Sequence, residues 1–336
     1  QEPMTQLLVG LRQRFPRGDS RALTRERGEA LASAENVLRE ERAHEVARAV
    51  RNAWFEARYQ QESLGLIEEE LAWYRQFGEV VEAAYAQGRR RQHELLRLAL
   101  EQDQLEAEAV ATRQALATWL AELERWAGPD ARSANLAPSP VLPPVAPEVE
   151  DDIAVRNHPS VLATARRVDG ASLGVEIARQ SYRPAWAFDV SYGFRDGENA
   201  NGKDRPDFVS AMISFDVPLF TRDRQDQRLA AASADEKAGR ERLAEQVRAL
   251  RLRLATARAT ERGISDRVAL FDNEVIPAAR ANVDAVRQAY RNDLVPFDEL
   301  VRAERMLLTA RMQELRLLSD GLINRAELLY LTGGAR

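Results

Sequence analysis

Cysteine is absent from these 336 residues, which removes disulfides, thiolate metal sites and cysteine nucleophiles and leaves the redox compartment open. Histidine is scarce as well. His44, His93 and His158 are far apart in the chain with no H-x-x-x-H or carboxylate-paired spacing, and the four methionines do not cluster as soft ligands would. No metal or cofactor is expected. No stretch approaches the run of about 18 apolar residues that a membrane-spanning helix needs, so any membrane-spanning part has to be made of strands. Basic excess is missing too: 48 Lys and Arg stand against 53 Asp and Glu, a net charge of -5, which argues against nucleic acid as a partner. A phosphate-cradling glycine loop and an isolated carboxylate pair are lacking, and the abundant Glu and Asp alternate along helix faces, so nothing points to an enzyme. The opening QEPMTQ has neither a basic nor an apolar signal region, and any signal peptide is expected to have been removed already.

What remains is mostly helix. Residues 20–85 are rich in Ala, Glu, Arg and Leu with no proline, and the same texture returns over 223–290, so both read as very long helices. In the second, Leu243, Val247, Leu250, Leu254, Ala257, Ile264, Val268 and Phe271 follow steps of four and three, broken only at Glu261, which is coiled-coil spacing. Each would span roughly 100 Å if unbroken, and Pro277 is expected to kink or interrupt the second. Between the helical halves, residues 129–152 are too proline-rich for helix or central strand and read as a linker. Asn157 then caps a further helix, with Pro159 in its first turn, running to about Ser181.

Two segments have a period of two instead. In PAWAFDVSYGFRD, Trp186, Phe188, Val190, Tyr192 and Phe194 alternate with small or polar residues; in FVSAMISFDVPLF, Val209, Ala211, Ile213, Phe215 and Val217 do the same. With the polar turn between them they predict one β-hairpin at about 184–220. TQLLVGLRQRFPRGD near the start reads as a weaker copy of the second strand. A shift of 205 superposes Val81, Ala84, Tyr85, Glu94, Leu95, Arg97, Ala121, Glu122, Leu123 and Gly128 on identical residues. The chain therefore reads as a first repeat over 1–128, a linker over 129–152 and a second repeat over 153–336.

In this order the residues resemble the TolC-like outer-membrane efflux proteins, and among them the metal-efflux branch typified by CzcC and CusC. The carriers are NHPSVLATARR, SYRPAWAFDVSYGFR, DFVSAMISFDVPLFTRDRQ, AYRNDLVPFDELVRAER and ELLYLTGG. The resemblance implies a mainly α protein with a transmembrane β part. Each protomer of a homotrimer gives four strands to a shared twelve-stranded outer-membrane barrel, continuous with an α-barrel of long antiparallel helices across the periplasm. Only one strand precedes the first long helix here, so a further N-terminal helix and strand are expected outside this chain. The implied function is passive: an exit duct of a tripartite pump, working with a periplasmic membrane-fusion adaptor and an inner-membrane RND-type transporter, for metal cations or organic compounds.

Site candidates follow from that resemblance. AYAQGRRRQHEL and AYRNDLVPFDEL resemble the helix-to-helix turns of the periplasmic tip. Gly88 permits positive φ, and its counterpart Asp293, beside Asn292, tolerates it. Arg89, Arg90 and Arg91 either dock an acidic adaptor surface or are simply solvated. Glu299 falls where the family carries an acidic ring, with Arg302 at the next ring position; alternatively the two form an ordinary i, i+3 pair. Trp186, Phe188, Tyr192 and Phe194 face outer-membrane lipid in a barrel, or a buried core in a water-soluble domain. A soluble periplasmic coiled-coil adaptor is the competing reading.

Overall fold

The computed structural model describes residues 5–133, 136, 142–199 and 201–333; part of the expected linker (134, 135 and 137–141) lies outside the described residues. The described elements are β1 (Thr5–Phe15), α1 (Ser20–Ala86), α2 (Gln92–Ala127), α3 (Asp151–Asn157), α4 (Pro159–Gln180), β2 (Ala185–Asp196), β3 (Phe208–Asp216), α5 (Gln225–Leu270), α6 (Ile276–Arg291) and α7 (Phe297–Leu331). The shift of 205 found in the sequence also relates element boundaries. Adding 205 to the bounds of α1 gives 225 and 291, the start of α5 and the end of α6; adding it to the start of α2 gives 297, the start of α7.

Pro277 interrupts the second long helix as its chemistry requires. It supplies no N–H, and the turn before it, Phe271–Val275, widens to a π-helix in which the Ile276 N–H bonds to the Phe271 carbonyl. Asn273 Nδ2 donates to the Ala269 carbonyl at 2.7 Å, satisfying an acceptor that the widened turn strains.

Two expectations change at the linker. Asn157 is not a cap: it is the last residue of α3, and His158 takes the extended conformation (ψ 132°) that leads into Pro159 at the first position of α4. The residue before a proline is pushed out of the helical region, so the proline selects His158 rather than its neighbour. The proline-rich stretch is also less irregular than its composition suggests, with short 3-10 turns at Pro129–Ser133 and Glu148–Glu150.

By packing, the chain forms two compact units, 1–40 with 159–248 and 41–158 with 249–336. In the first, the strands form one antiparallel sheet in the order β1-β2-β3, accompanied by α4 and the adjoining parts of α1 and α5. Gly170 lets α4 approach α1 closely: a Cβ there would lie 3.1 Å from Leu31. Arg17 joins the segments at one end of the sheet, donating to the Ser181 carbonyl at 2.6 Å and pairing with Asp216.

The second unit is a helical bundle. Ile67, Leu71 and Tyr74 of α1, Leu98 and Leu105 of α2, Tyr290 of α6 and Phe297, Leu300, Val301 and Leu308 of α7 form its main core. The start of α3 and the segment before it are strapped to α5 by three arginines: Arg258 grips Asp151 (2.9 Å) and the Ala146 carbonyl (2.5 Å), Arg251 reaches Asp152 and Arg262 reaches Glu148. The most deeply buried charge among the described residues is that of Glu304. Glu304 is 2% exposed and occupies the seam position between Val301 and Leu308, where Arg287 of α6 grips it with a fork of 2.5 and 2.9 Å.

Replacing Arg287 by Ala leaves a buried carboxylate unpaired and is expected to cost roughly 3–5 kcal/mol, whereas replacing both partners by Met costs far less. Thermal unfolding followed by the helical circular dichroism signal checks this. Equal losses in the two variants would show that packing, not charge compensation, carries the pair's contribution.

Candidate functional site

The sheet has two faces of different chemistry. Cross-strand partners share a face, and the register places Trp186 between Phe15 and Phe215, Phe188 between Gln13 and Ile213, Val190 between Leu11 and Ala211, and Tyr192 between Val9 and Val209, with Phe194 beside Leu7. The sequence-predicted aromatics thus lie together on one face, and they remain 39–48% exposed, while Leu11 and Phe215 reach 77% and 69%. Nothing within the described residues covers this face. Its ends are aromatic: Phe15 stacks on Trp186 at 3.7 Å, and Tyr192 meets Phe194 edge-on at 4.6 Å. The distance from Trp186 to Phe194 is roughly 26 Å along the strand. The other face is mixed, with Arg12, Arg14, Asp189, Ser191, Ser210 and Ser214 beside Leu8, Phe208 and Met212. Arg12 pairs with Asp189, and Gly10 lies so near Ser191 that a Cβ would be 3.0 Å from the serine Cβ.

The helix turns of the second unit match each other atom for atom under the same shift. Arg89 N–H bonds to the Ala84 carbonyl and Leu294 N–H to the Ala289 carbonyl, both at 2.9 Å. Gly88 has φ 72°, and its counterpart Asp293 has φ 57°, the sole positive value on a non-glycine among the described residues. Asn292 caps α6 next to it. Such a left-handed residue closes a helix end by satisfying its last carbonyls.

The three arginines of the first turn separate. Arg89 and Arg91 are exposed. Arg90 is half-buried and crosses to the second turn, donating to Asp293 at 2.9 Å and lying 4.4 Å over the Tyr290 ring. Behind it Trp73 stacks on Phe77 and Phe77 on Phe297, so the clasp rests on an aromatic column. Burial pushes the Tyr290 hydroxyl up to about 12. Glu299 and Arg302 lie on the solvent-facing side of α7, 3.9 Å apart.

Sequence reading missed a buried polar cluster. Glu70 and Tyr74 of α1 face Arg287, Glu304 and Arg305 from α6 and α7 and Glu101 from α2. Glu70 Oε1 and the Tyr74 hydroxyl are buried without a hydrogen bond. Burial, reinforced by the Glu304 carboxylate, raises Glu70 to about 7; Arg287 and Arg305 oppose the shift. A signal existed: Phe297, Val301, Glu304 and Leu308 follow steps of four, three and four, so Glu304 stands where the seam calls for an apolar residue.

A sequence model of the family described as outer membrane efflux protein matches residues 152–334. No curated protein matches the sequence. Among solved structures, the chain superposes on a membrane protein from Pseudomonas aeruginosa with a TM-score of 0.84 at 15% identity, covering 98% of this chain and 83% of the other. The outer membrane protein VceC from Vibrio cholerae gives 0.79 at 15% identity, covering 98% and 87%. CusC, solved for its folding and transmembrane channel formation, gives 0.80 at 15% identity, covering 98% and 83%.

For Glu70 the sign of the pH dependence follows from its raised value. The folded state holds this proton more tightly than the unfolded state, so stability falls as pH rises from about 4.5 through about 7. The total is on the order of 3 kcal/mol. Glu70→Gln is expected to remove that slope, stabilising the protein above the window and leaving it nearly unchanged below. Denaturation midpoints measured across the window check it, and an unaltered slope would assign the dependence to another group.

Proposed function

The chain belongs to the outer membrane efflux protein family, and on that premise we propose that it is the exit-duct subunit of a tripartite efflux pump. Three copies would conduct cargo passively out of the periplasm. The observation that carries this reading is the sheet, with an exposed face that is apolar across the ladder apart from Gln13, and with Arg12, Asp189, Ser191 and Ser210 on the other side. A lipid-facing barrel wall has that alternation, with aromatic residues at both interfaces of an apolar band about 25 Å tall. β1 and β3 each leave one edge unpaired among the described residues, and closing a barrel with neighbouring copies satisfies those backbone groups.

The helix turns then form the periplasmic tip. Arg90, Asp293 and Tyr290 tie the two turns of one protomer together, and we assign them the role of holding the tip narrow. Exposed Arg89 and Arg91 are left to meet an acidic surface of a membrane-fusion adaptor, itself coupled to an inner-membrane RND-type transporter. Around a three-fold axis, Glu299 and Arg302 would supply rings of opposite sign one helical turn apart. Metal cations are the cargo that the CzcC- and CusC-like sequence features favour, with the transporter making the choice.

The first test is the mass of the protein after extraction from fractionated membranes, by size exclusion with light scattering. A detergent-requiring trimer from the outer membrane is expected. A detergent-independent monomer or dimer in the periplasmic fraction would overturn the duct reading in favour of a soluble coiled-coil adaptor. For the tip, Arg90→Ala is expected to raise single-channel conductance several-fold in planar bilayers, because it removes both the ion pair with Asp293 and the contact with the Tyr290 ring that join the two turns. Unchanged conductance would remove Arg90 from the gate.

A further inference from the structure

Three chain segments cross between sheet and helices at the end marked by Phe15, Trp186 and Phe215: residues 16–19, 181–184 and 217–224. The first two are tied down internally, Arg17 by Ser181 and Asp216, and Arg183 by Asp19 at 3.2 Å. The third is different. Val217, Leu219 and Phe220 are 56%, 77% and 90% exposed, and Phe220 is the most exposed large apolar residue among those described. Val217 and Leu219 follow Phe215 at every second position, so the sequence alternation of the apolar face runs on past the last ladder pair.

Directly after it come Arg222 and Arg224, both exposed, whose side chains make no ion pair or hydrogen bond among the described residues. They also precede the first residue of α5, where the helix dipole disfavours positive charge. Asp226, the acid that the helix start does favour, already accepts a hydrogen bond from the Tyr182 hydroxyl at 2.6 Å. Two free cations beside an apolar step, at the end of an apolar sheet face, match the boundary between acyl chains and phosphate headgroups.

We propose that residues 217–224 are an interfacial anchor: Val217, Leu219 and Phe220 enter the acyl region, and Arg222 and Arg224 bind the phosphates of anionic phospholipid in the adjoining leaflet. The inference rests on the reading of the sheet as membrane-inserted, and it adds a lipid preference which that reading lacks.

The absence of cysteine makes a clean probe available. Leu219→Cys, labelled with an environment-sensitive fluorophore, is reconstituted into phosphatidylethanolamine vesicles with and without phosphatidylglycerol. Insertion is scored separately by protease protection of the sheet. The label is expected to be quenched by lipid-borne quenchers, with tighter vesicle partition when phosphatidylglycerol is present. Arg222→Gln with Arg224→Gln should weaken that gain by about fivefold per arginine while insertion into neutral vesicles persists. An inserted protein whose label stays in water, or whose phosphatidylglycerol gain survives the double substitution, would overturn the anchor alone. A label shielded on subunit assembly but untouched by lipid quenchers would also overturn it, and would assign the segment to a second copy of the chain. Failure to insert into either vesicle would overturn the anchor together with the duct reading.

Discussion

Everything in the first unit turns on the fact that one strand cannot hide both of its faces within this chain. β2 is the middle strand, paired on both sides from Trp186 to Gly193, yet Trp186, Phe188, Val190, Tyr192 and Phe194 project from a sheet with no covering layer. Burial of apolar surface is worth about 25 cal/mol per Å², so a face of this size in water is a standing cost. The neighbouring strands repeat the alternation in register instead of breaking it, with Leu7, Val9 and Leu11 on one side and Val209, Ile213 and Phe215 on the other. That consistency across three strands, one of them far from the other two in the chain, marks a surface built for a non-aqueous medium and not an accident of composition.

The second unit answers the opposite problem, how to hold long helices lengthwise with little apolar material. It uses a narrow seam and many arginines. Arg316 grips Glu56 with two bonds of 2.8 and 2.9 Å, and Arg48 and Arg253 share Glu327. The Arg316–Glu56 and Arg48–Glu327 pairs are part-buried, and because partner removal leaves a charge poorly solvated they fix which helix faces which. The repeat makes the economy visible. One helix–turn–helix plan serves twice, with glycine at one turn and aspartate at the other, and the differences between the copies are where specific chemistry appears. Arg90 has Val295 as its counterpart, and Pro277 stands where the first copy has Ala72.

Periodicity made most of the architecture legible. α1 and the paired strands fall where spacing of 3.6 or 2 places them, because those patterns are imposed by the element itself. Pro277 was legible for the same reason, its effect being local. Asn157 was misread because two local rules compete there, a capping preference and the restriction on a residue before proline, and the second wins. Arg90 and Glu70 were illegible on other grounds. Their roles depend on a helix far away in the chain, and a charged residue on a long helix looks the same whether its partner is water or a buried carboxylate. Only the interruption of the α7 seam at Glu304 hinted at the cluster.

Glu304 also restricts how the α6–α7 hairpin can move. The fork from Arg287 joins the two helices at one level, and a slip of one turn, about 5.4 Å, would carry the carboxylate past its partner into an apolar layer. Translation along the hairpin axis is therefore a forbidden degree of freedom. The widened turn at Phe271–Val275 packs in one cluster with Leu307 and Ala310 of α7, which runs past it unbroken. The two helices therefore bend or rotate as one piece instead of telescoping.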